Sequence, residues 1–257
     1  MFKKLLKYEF QSVGKWYLGI YIAAVVLSAV LGFWLQALAL RTQAGNTEPG
    51  GGEMVLLGTS FMTFGILIAA LFLSTFVLVI NRFRKNVYGR QGYLTMTLPV
   101  SSHQIILSKL LASIVWYILA GITCLLSILA VILAASEEAI MPEIQTFVQA
   151  IDWTILFSQI VYYLIEITTG ILLIYFSISV GQLFKDHRFL FAILTYIGIL
   201  IVTGVFSTFF VLSNLGTAYS TPFSLYPSPV LALVNIILAF AYYFGTHFIM
   251  TKKLNLQ

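Results

Sequence analysis

The sequence predicts an all-α polytopic membrane protein with six transmembrane helices, an N-terminal interfacial helix and a further cytoplasmic helix between the second and third spans. Three observations predict this fold class. Hydrophobic residues make up 60% of the chain and charged residues only 9%, so a water-soluble fold would lack the charges to cover its surface. The apolar residues form long segments, and the lysines and arginines fall into alternate gaps between those segments.

Six apolar segments are each long enough to cross about 30 Å of hydrocarbon, which takes about 20 residues of helix. They cover residues 16–40, 54–80, 105–135, 153–184, 189–211 and 230–250. The fourth is longer than a bilayer requires, so we expect it to project, tilt or break. With the segments that connect them, the six spans are expected to form a single transmembrane domain over residues 1–257.

Positive charge sets the expected orientation, because lysine and arginine are retained on the cytoplasmic side during membrane insertion. Of the 14 lysines and arginines, only Arg41 lies outside the two ends of the chain and two alternate inter-span regions. Both termini are therefore expected in the cytoplasm. The net charge of +5 belongs to the inner rim, where it favours contact with anionic membrane lipid and does not indicate nucleic-acid binding.

Residues 1–15 form a separate element before the first span. Apolar residues such as Leu6 and Phe10 recur at helical spacing, and Lys3 and Lys7 lie on the other side. This pattern is typical of a helix that lies flat in the inner interface of the bilayer. The alternative is an ordinary cytoplasmic extension of the first spanning helix.

The connection between the second and third spans is too long for a simple turn and too charged at its start to span the membrane. Its central part is residues 84–100, in which apolar and polar types are mixed. Pro99 disfavours helix at Leu98, and Ser101 is suited to cap the next helix. The connection is therefore predicted to form a short surface helix, a break and then the third span. The alternative is an amphipathic connector that rests on the lipid head groups.

The same connection resembles a known family. The resemblance lies in the runs YGRQGYLT at 88–95, TLPVS at 97–101 and ILSKL at 106–110. These runs are similar to the signature of the type-2 ABC permease family, the membrane subunits of exporters driven by ATP-binding cassettes. The predicted topology, with an interfacial helix, six spans and both ends inside, agrees with that family over the whole chain.

The resemblance implies that this connection contains a coupling helix, which docks on a separate ABC ATPase subunit. Hydrophobic side chains would supply the centre of that contact and charged ones its rim. The residues that the resemblance assigns to coupling are Tyr88, Arg90, Gly92, Tyr93, Leu94, Met96, Leu98 and Pro99. It also implies pairing with a second copy of the chain or a sister permease, in the cytoplasmic membrane of a bacterium.

No nucleotide site is expected in this chain, because the glycine-rich segments lack the spacing of a phosphate-binding loop. ATP and Mg²⁺ would therefore bind to the partner subunit, and the chain itself would be neither an enzyme nor a cofactor-binding protein. The alternative function is a self-contained secondary transporter or channel. Against it, the spans show no inverted pair broken by glycine or proline.

Three polar residues within the spans are candidates for the transport pathway or a permease–permease contact. Glu166 is the one strongly ionisable residue deep inside a span, and a charged side chain facing lipid there costs roughly 2.5 kcal/mol or more. It is therefore expected to face protein or water, or to be protonated. The alternative to a pathway role is a buried carboxyl bonded to a neighbouring hydroxyl. Thr59 and Thr63 on the second span would mark a wetted face, or else would bond to backbone carbonyls or mediate close packing.

Catalytic and metal-binding constellations are not expected. Cys124 is the one cysteine, so no internal disulfide or cysteine cluster can form. The three histidines, His103, His187 and His247, are predicted near the inner boundary and form no paired motif of a metal site.

Overall fold

The computed structural model describes residues 2–11, 14–44, 51–89, 101–135, 146, 149–184, 186–218 and 229–252. Over these residues the regular structure is helical, which confirms the all-α class. The helices are α1 (Phe2–Gln11), α2 (Gly14–Ala44), α3 (Gly51–Phe83), α4 (Ser102–Ala135), α5 (Trp153–Gly181), α6 (Arg188–Ala218) and α7 (Pro229–Lys252). A π-helical turn, Arg84–Tyr88, continues directly from the end of α3.

The six helices α2 to α7 are long and apolar enough to cross a membrane, in agreement with the six predicted spans. Their bounds differ from the prediction by a few residues. α6 continues to Ala218, beyond the predicted end at 211, and α5 ends at Gly181, before the predicted end at 184. Hydropathy locates the apolar residues, whereas a helix ends where its backbone hydrogen bonding ends. α5 is continuous over its 29 residues, so it does not break.

Large apolar side chains on the spanning helices are exposed. Met62, Val202 and Phe209 are 72%, 70% and 75% exposed. Such side chains would promote aggregation of a protein surrounded by water. In a bilayer they face an apolar solvent, so this exposure agrees with an integral membrane protein.

The helix α1 precedes the first span as a separate element. Lys3, Lys7 and Tyr8 on it are exposed, whereas Leu6 and Phe10 are partly covered. The two-faced helix predicted for the N-terminus is therefore confirmed, although α2 already begins at Gly14. Its place at the lipid interface stays a prediction.

The chain forms two compact units. The first unit comprises Met1–Leu5, Val79–Ile114 and Asp152–Gln257, and the second comprises Leu6–Leu78 and Val115–Ile151.

In the first unit, α5 packs against α6 and α7. The second half of α5 is largely buried, from Thr169 onward. The Thr169 hydroxyl donates to the Asn235 carbonyl of α7 at 3.1 Å. Nearer the C-terminal end of α5, Phe176 lies against Gly245 of α7, where an added Cβ would come within 2.6 Å of the Phe176 ring. A hydroxyl bond and a small residue thus allow α5 and α7 to approach closely, as is usual for helices in lipid.

In the second unit, aromatic side chains gather around Trp116 of α4. The rings of Phe10, Tyr17 and Tyr21 lie with their centroids 6.2, 5.8 and 6.2 Å from that of Trp116. The Tyr21 hydroxyl donates to the Trp116 carbonyl at 3.2 Å. The planes of these three rings are tilted by 44°, 53° and 58° from the plane of the indole, at separations usual for aromatic pairs, so the indole is a centre of packing in this unit.

The close approach of α5 and α6 makes a first testable prediction. A Cβ at Gly181 would lie 2.5 Å from the Arg188 carbonyl oxygen and 2.8 Å from the Ala192 Cβ. Because the nearest atom belongs to the backbone, Gly181→Ala should lower the free energy of unfolding by roughly 1–3 kcal/mol. The measurement is reversible unfolding of the purified protein in detergent.

The matched control is Gly198→Ala on α6, where an added Cβ meets nothing within 4 Å. This control should leave stability unchanged or slightly higher, since alanine is the better helix former. Equal stability of the two variants would contradict the close contact at Gly181.

Candidate functional site

The helix α3 does not end where its apolar sequence ends. It runs on to Phe83 and then into the π-helical turn, and the chain leaves the helix at Gly89 in an extended conformation. An added Cβ at Gly89 would lie 2.6 Å from the Lys85 carbonyl oxygen, so glycine permits this tight exit. Single π-helical turns within α-helices are frequent at functional sites. Residues 84–100 are called the predicted coupling segment from here on. The first part of this segment, Arg84–Tyr88, is therefore a helical extension of α3.

The packing of this extension corrects one expectation. Residues 84–100 were expected to begin with a short surface helix, but the Val87 side chain within them is fully buried. Phe83, also fully buried, stacks on Tyr175 of α5 with a centroid distance of 4.0 Å and an interplanar angle of 9°. The Tyr88 ring meets Phe83 edge-on at 5.8 Å. The helical backbone hydrogen bonding continues through the polar residues that follow the apolar run. The helical turn therefore places the Val87 side chain in the packed interior.

A chain of hydrogen bonds ties the same extension to α5. The Tyr88 hydroxyl donates to Ser179 Oγ at 2.7 Å, and Ser179 Oγ donates to the Tyr175 carbonyl at 2.8 Å. The Tyr175 hydroxyl in turn shares a hydrogen bond of 2.9 Å with Ser113 Oγ on α4. Buried hydroxyls that are satisfied in this way fix the side chains around them. The end of α3 is thus joined to α5, and α5 to α4, within the first unit.

Tyr88 is the one predicted coupling residue that the structure describes. Its hydroxyl and one edge of its ring are engaged within the chain, and its role toward a partner stays a prediction. The other coupling residues lie outside the described residues: Arg90, Gly92, Tyr93, Leu94, Met96, Leu98 and Pro99.

The other flank of the coupling segment begins with Ser101. Its carbonyl accepts hydrogen bonds from the backbone N–H groups of Gln104 and Ile105, at 2.9 and 3.3 Å. Its side-chain oxygen also accepts from the Gln104 N–H, at 3.4 Å. This is the N-cap arrangement that satisfies the free donors of a helix start, and it confirms the cap predicted at Ser101.

Sequence reasoning missed a contact at the start of α4. His103 Nδ1 is 2.7 Å from the Tyr243 hydroxyl of α7. The His103 ring is also stacked on the His247 ring, with centroids 3.9 Å apart and planes at 11°. The two helices are far apart in the sequence, and an isolated histidine on each gives no periodic signal that would join them. The pair fixes the start of α4 to the end of α7.

The basic residues predicted for the inner rim have different surroundings. Arg84 and Lys85 are exposed, and the Arg84 guanidinium lies 5.5 Å from the ring centroid of Phe189. Lys109, in contrast, is only 4% exposed, so it does not belong to a solvated rim. Its place on α4, beyond the first two turns, carries it into the packed part of the first unit.

Glu166 lies near the middle of α5 and is exposed on the first unit. Its carboxylate interacts with Tyr162, one helical turn earlier. The expectation of a carboxyl buried within the chain is therefore wrong, whereas a bond to a neighbouring hydroxyl is present. An ionised carboxylate in contact with lipid is costly, so an ionised Glu166 side chain would need water or another protein surface.

The two threonines of α3 belong to the second unit and are exposed. The Thr59 hydroxyl donates to the Leu56 carbonyl at 2.9 Å, and the Thr63 hydroxyl donates to the Thr59 carbonyl at 2.7 Å. Both hydroxyls thus bond to their own helix, as the alternative interpretation expected. Their role in a pathway stays a prediction.

Among the described residues, no group of three or more histidine, cysteine, aspartate or glutamate side chains could hold a metal ion. Comparisons with protein families, with curated proteins and with solved structures gave no match. The features that bear on function are therefore the sequence of the α3–α4 connection and the contacts at its two flanks.

Proposed function

We propose that this chain is the membrane-spanning permease subunit of an ATP-driven ABC exporter. In this proposal the chain forms the translocation pathway with a second copy or a sister permease. A separate ABC ATPase subunit docks on residues 84–100 and carries ATP and Mg²⁺. Six apolar helices long enough to span a bilayer supply the membrane part that such a subunit requires.

The observation that carries the proposal is the anchoring of both flanks of the coupling segment. On the α3 side, Phe83 stacks on Tyr175 and Tyr88 bonds to Ser179, both on α5. On the α4 side, His103 contacts α7. Only residues 90–100 lie between these flanks, so a subunit bound there acts on a short segment fixed at both ends.

This arrangement provides a physical route from the segment to the membrane helices. A displacement of the segment would be transmitted to α3 and α4 through the backbone. It would reach α5 and α7 through the buried rings and hydroxyls. A loose amphipathic connector, in contrast, has no need of a fully buried Val87 or of an aromatic stack at its start.

The exposure of Glu166 supports a permease pair. Glu166 is exposed on the first unit, and contact of an ionised carboxylate with lipid is unfavourable. A second permease, or a hydrated pathway between two permeases, would give the carboxylate the polar surroundings that it requires.

The docking contact can be tested at Tyr93 and Leu94. Tyr93→Ala should remove an aromatic anchor, and Leu94→Asp should bury an unpaired charge, each weakening a central contact by about 2 kcal/mol or more. The affinity for the ATPase subunit should therefore fall more than tenfold. The measurement is co-purification of the ATPase subunit with each permease variant, together with ATP-driven transport.

The matched control is Leu94→Met, which keeps an apolar side chain of similar volume and should retain the ATPase. Expression of all three variants should be normal, because the segment lies outside the predicted hydrocarbon. Undiminished recovery of the ATPase with both Tyr93→Ala and Leu94→Asp would remove the segment from the mechanism.

The connection from the segment to α5 can be tested separately with Tyr88→Phe. This change removes the donor to Ser179 Oγ, while Ser179 keeps its own bond to the Tyr175 carbonyl. Stability should fall by only about 1 kcal/mol, and the ATPase should still bind. Transport per ATP hydrolysed should fall, because one link between the segment and α5 is lost.

Tyr163→Phe is the control. Tyr163 lies on α5, the helix to which Tyr88 bonds, and its side chain is 59% exposed. It should leave the ratio of transport to hydrolysis unchanged. An unchanged ratio in Tyr88→Phe as well would limit the Tyr88 hydroxyl to a structural role.

Glu166 offers a test of the pathway itself. Glu166→Gln keeps the shape of the side chain and removes its charge, so the fold should persist while the rate of transport or its pH dependence changes. Transport into inverted vesicles should be measured over a range of pH values. Identical transport by variant and wild type would leave Glu166 a packing role.

The same vesicle assay separates the proposed exporter from the alternative function. Transport should require the ATPase subunit and ATP. Transport by the purified chain alone, driven by an ion gradient, would instead favour a self-contained secondary transporter or channel.

A further inference from the structure

Two imidazole rings lie face to face between the start of α4 and the last two turns of α7. The rings of His103 and His247 are nearly parallel, at 11°, with centroids 3.9 Å apart. The Tyr243 hydroxyl is 2.7 Å from His103 Nδ1, and the Tyr243 ring lies 5.8 Å from that of His103. His103 is exposed and lies in the first turn of α4, at the predicted inner boundary of the membrane, where water would deliver a proton to the pair.

The stacked geometry does not suit a metal ion. The in-plane lone pairs of two stacked imidazoles run side by side and do not converge on one point, and Tyr243 already occupies one ring nitrogen. Tetrahedral sites need ligands that converge at about 2.0–2.1 Å from the metal. The chemistry left to the pair is the gain and loss of protons, which histidine undergoes near physiological pH.

Among the residues that the structure describes, the groups that contact the pair supply no negative charge. The hydrogen bonds and ring contacts of the two imidazoles are with each other and with Tyr243 of α7. Among the described residues of the first unit, none of the acidic side chains on α5 or on the α5–α6 connection pairs with either ring. The nearest basic group along α7, Lys252, lies over the Phe248 ring at 5.2 Å.

Protonation acts differently on the two contacts of His103. The bond to Tyr243 survives a change of charge, because Nδ1 can accept from the hydroxyl when neutral and donate to it when protonated. The stack tolerates two neutral rings or one charged ring. It does not tolerate two imidazolium ions at this distance without a carboxylate between them, since the like charges repel.

We propose that the stacked pair of His103 and His247 is a pH-dependent latch that holds the start of α4 against the end of α7. The latch is closed while at most one ring is protonated and opens when both rings are protonated. Opening removes the ring stack, so the first turn of α4, which follows residues 90–100, is then tied to α7 through the His103–Tyr243 hydrogen bond alone. The latch requires neither an ATPase nor a transported substrate, so it stands independently of the proposed function.

The first test follows the protonation of each ring in the full chain by NMR, with ¹³C-labelled histidine in detergent micelles. The third histidine, His187, lies on the α5–α6 connection and is exposed, and it serves as the internal control. The His187 signal should follow the same pH dependence in the wild type and in His247→Gln. His103 and His247 should titrate in two coupled steps, and His247→Gln should return His103 to one step.

The second test measures amide hydrogen exchange in the first turn of α4 as a function of pH, corrected for the intrinsic exchange rate. In the wild type, protection should fall at least tenfold as both rings become charged. His247→Phe keeps a stacked ring without a titratable nitrogen, so its protection should stay constant. His103→Phe should behave in the same way and replaces His247→Phe if that variant fails to fold.

Two results would overturn the latch. One is independent, single-step titration of His103 and His247. The other is the same dependence of α4 protection on pH in the wild type and in the phenylalanine variant that folds.

Discussion

The absence of water from the hydrocarbon core is the constraint on which the rest of this structure depends. Every backbone N–H and C=O at that depth must find its partner within the protein, and long helices are the result. Side-chain hydroxyls in the spans obey the same constraint, because Thr59 and Thr63 both donate to carbonyls of the preceding helical turn. Few polar groups are then left to join one helix to another.

Helix association must therefore use other means, since burial of apolar surface gives little drive between helices in lipid. The first unit uses an aromatic stack, a chain of hydroxyls and the small residues Gly181 and Gly245. The second unit uses the rings around Trp116, and Gly32 of α2 lies so close to α4 that an added Cβ would come within 2.7 Å of the Ala134 Cβ. Single atoms at these positions decide how closely two helices approach.

The dependence of helix packing on individual contacts explains which parts of the structure could be predicted from the sequence. Hydropathy is a property of each segment alone, so the six spans and the two-faced α1 could be predicted. The continuation of α3 to Tyr88 could not, because polar side chains after an apolar run do not reveal whether the backbone bonds continue. The burial of Val87 depends on that continuation. The pair of His103 and His247 depends on two helices that meet only in the folded chain, and Glu166 had to be located in a folded unit before its exposure was known.

The two flanks of the coupling segment differ in their chemistry. The α3 flank is held by Phe83 stacked on Tyr175 and by hydroxyl bonds, and neither contact changes charge near neutral pH. The α4 flank is held by imidazole rings, which do change charge there. A latch of the proposed kind would therefore loosen one flank while the other stays fixed. A subunit docked between them would move α3 with α5 at any pH, but the displacement that α4 passes directly to α7 would be weaker once the histidine stack is open.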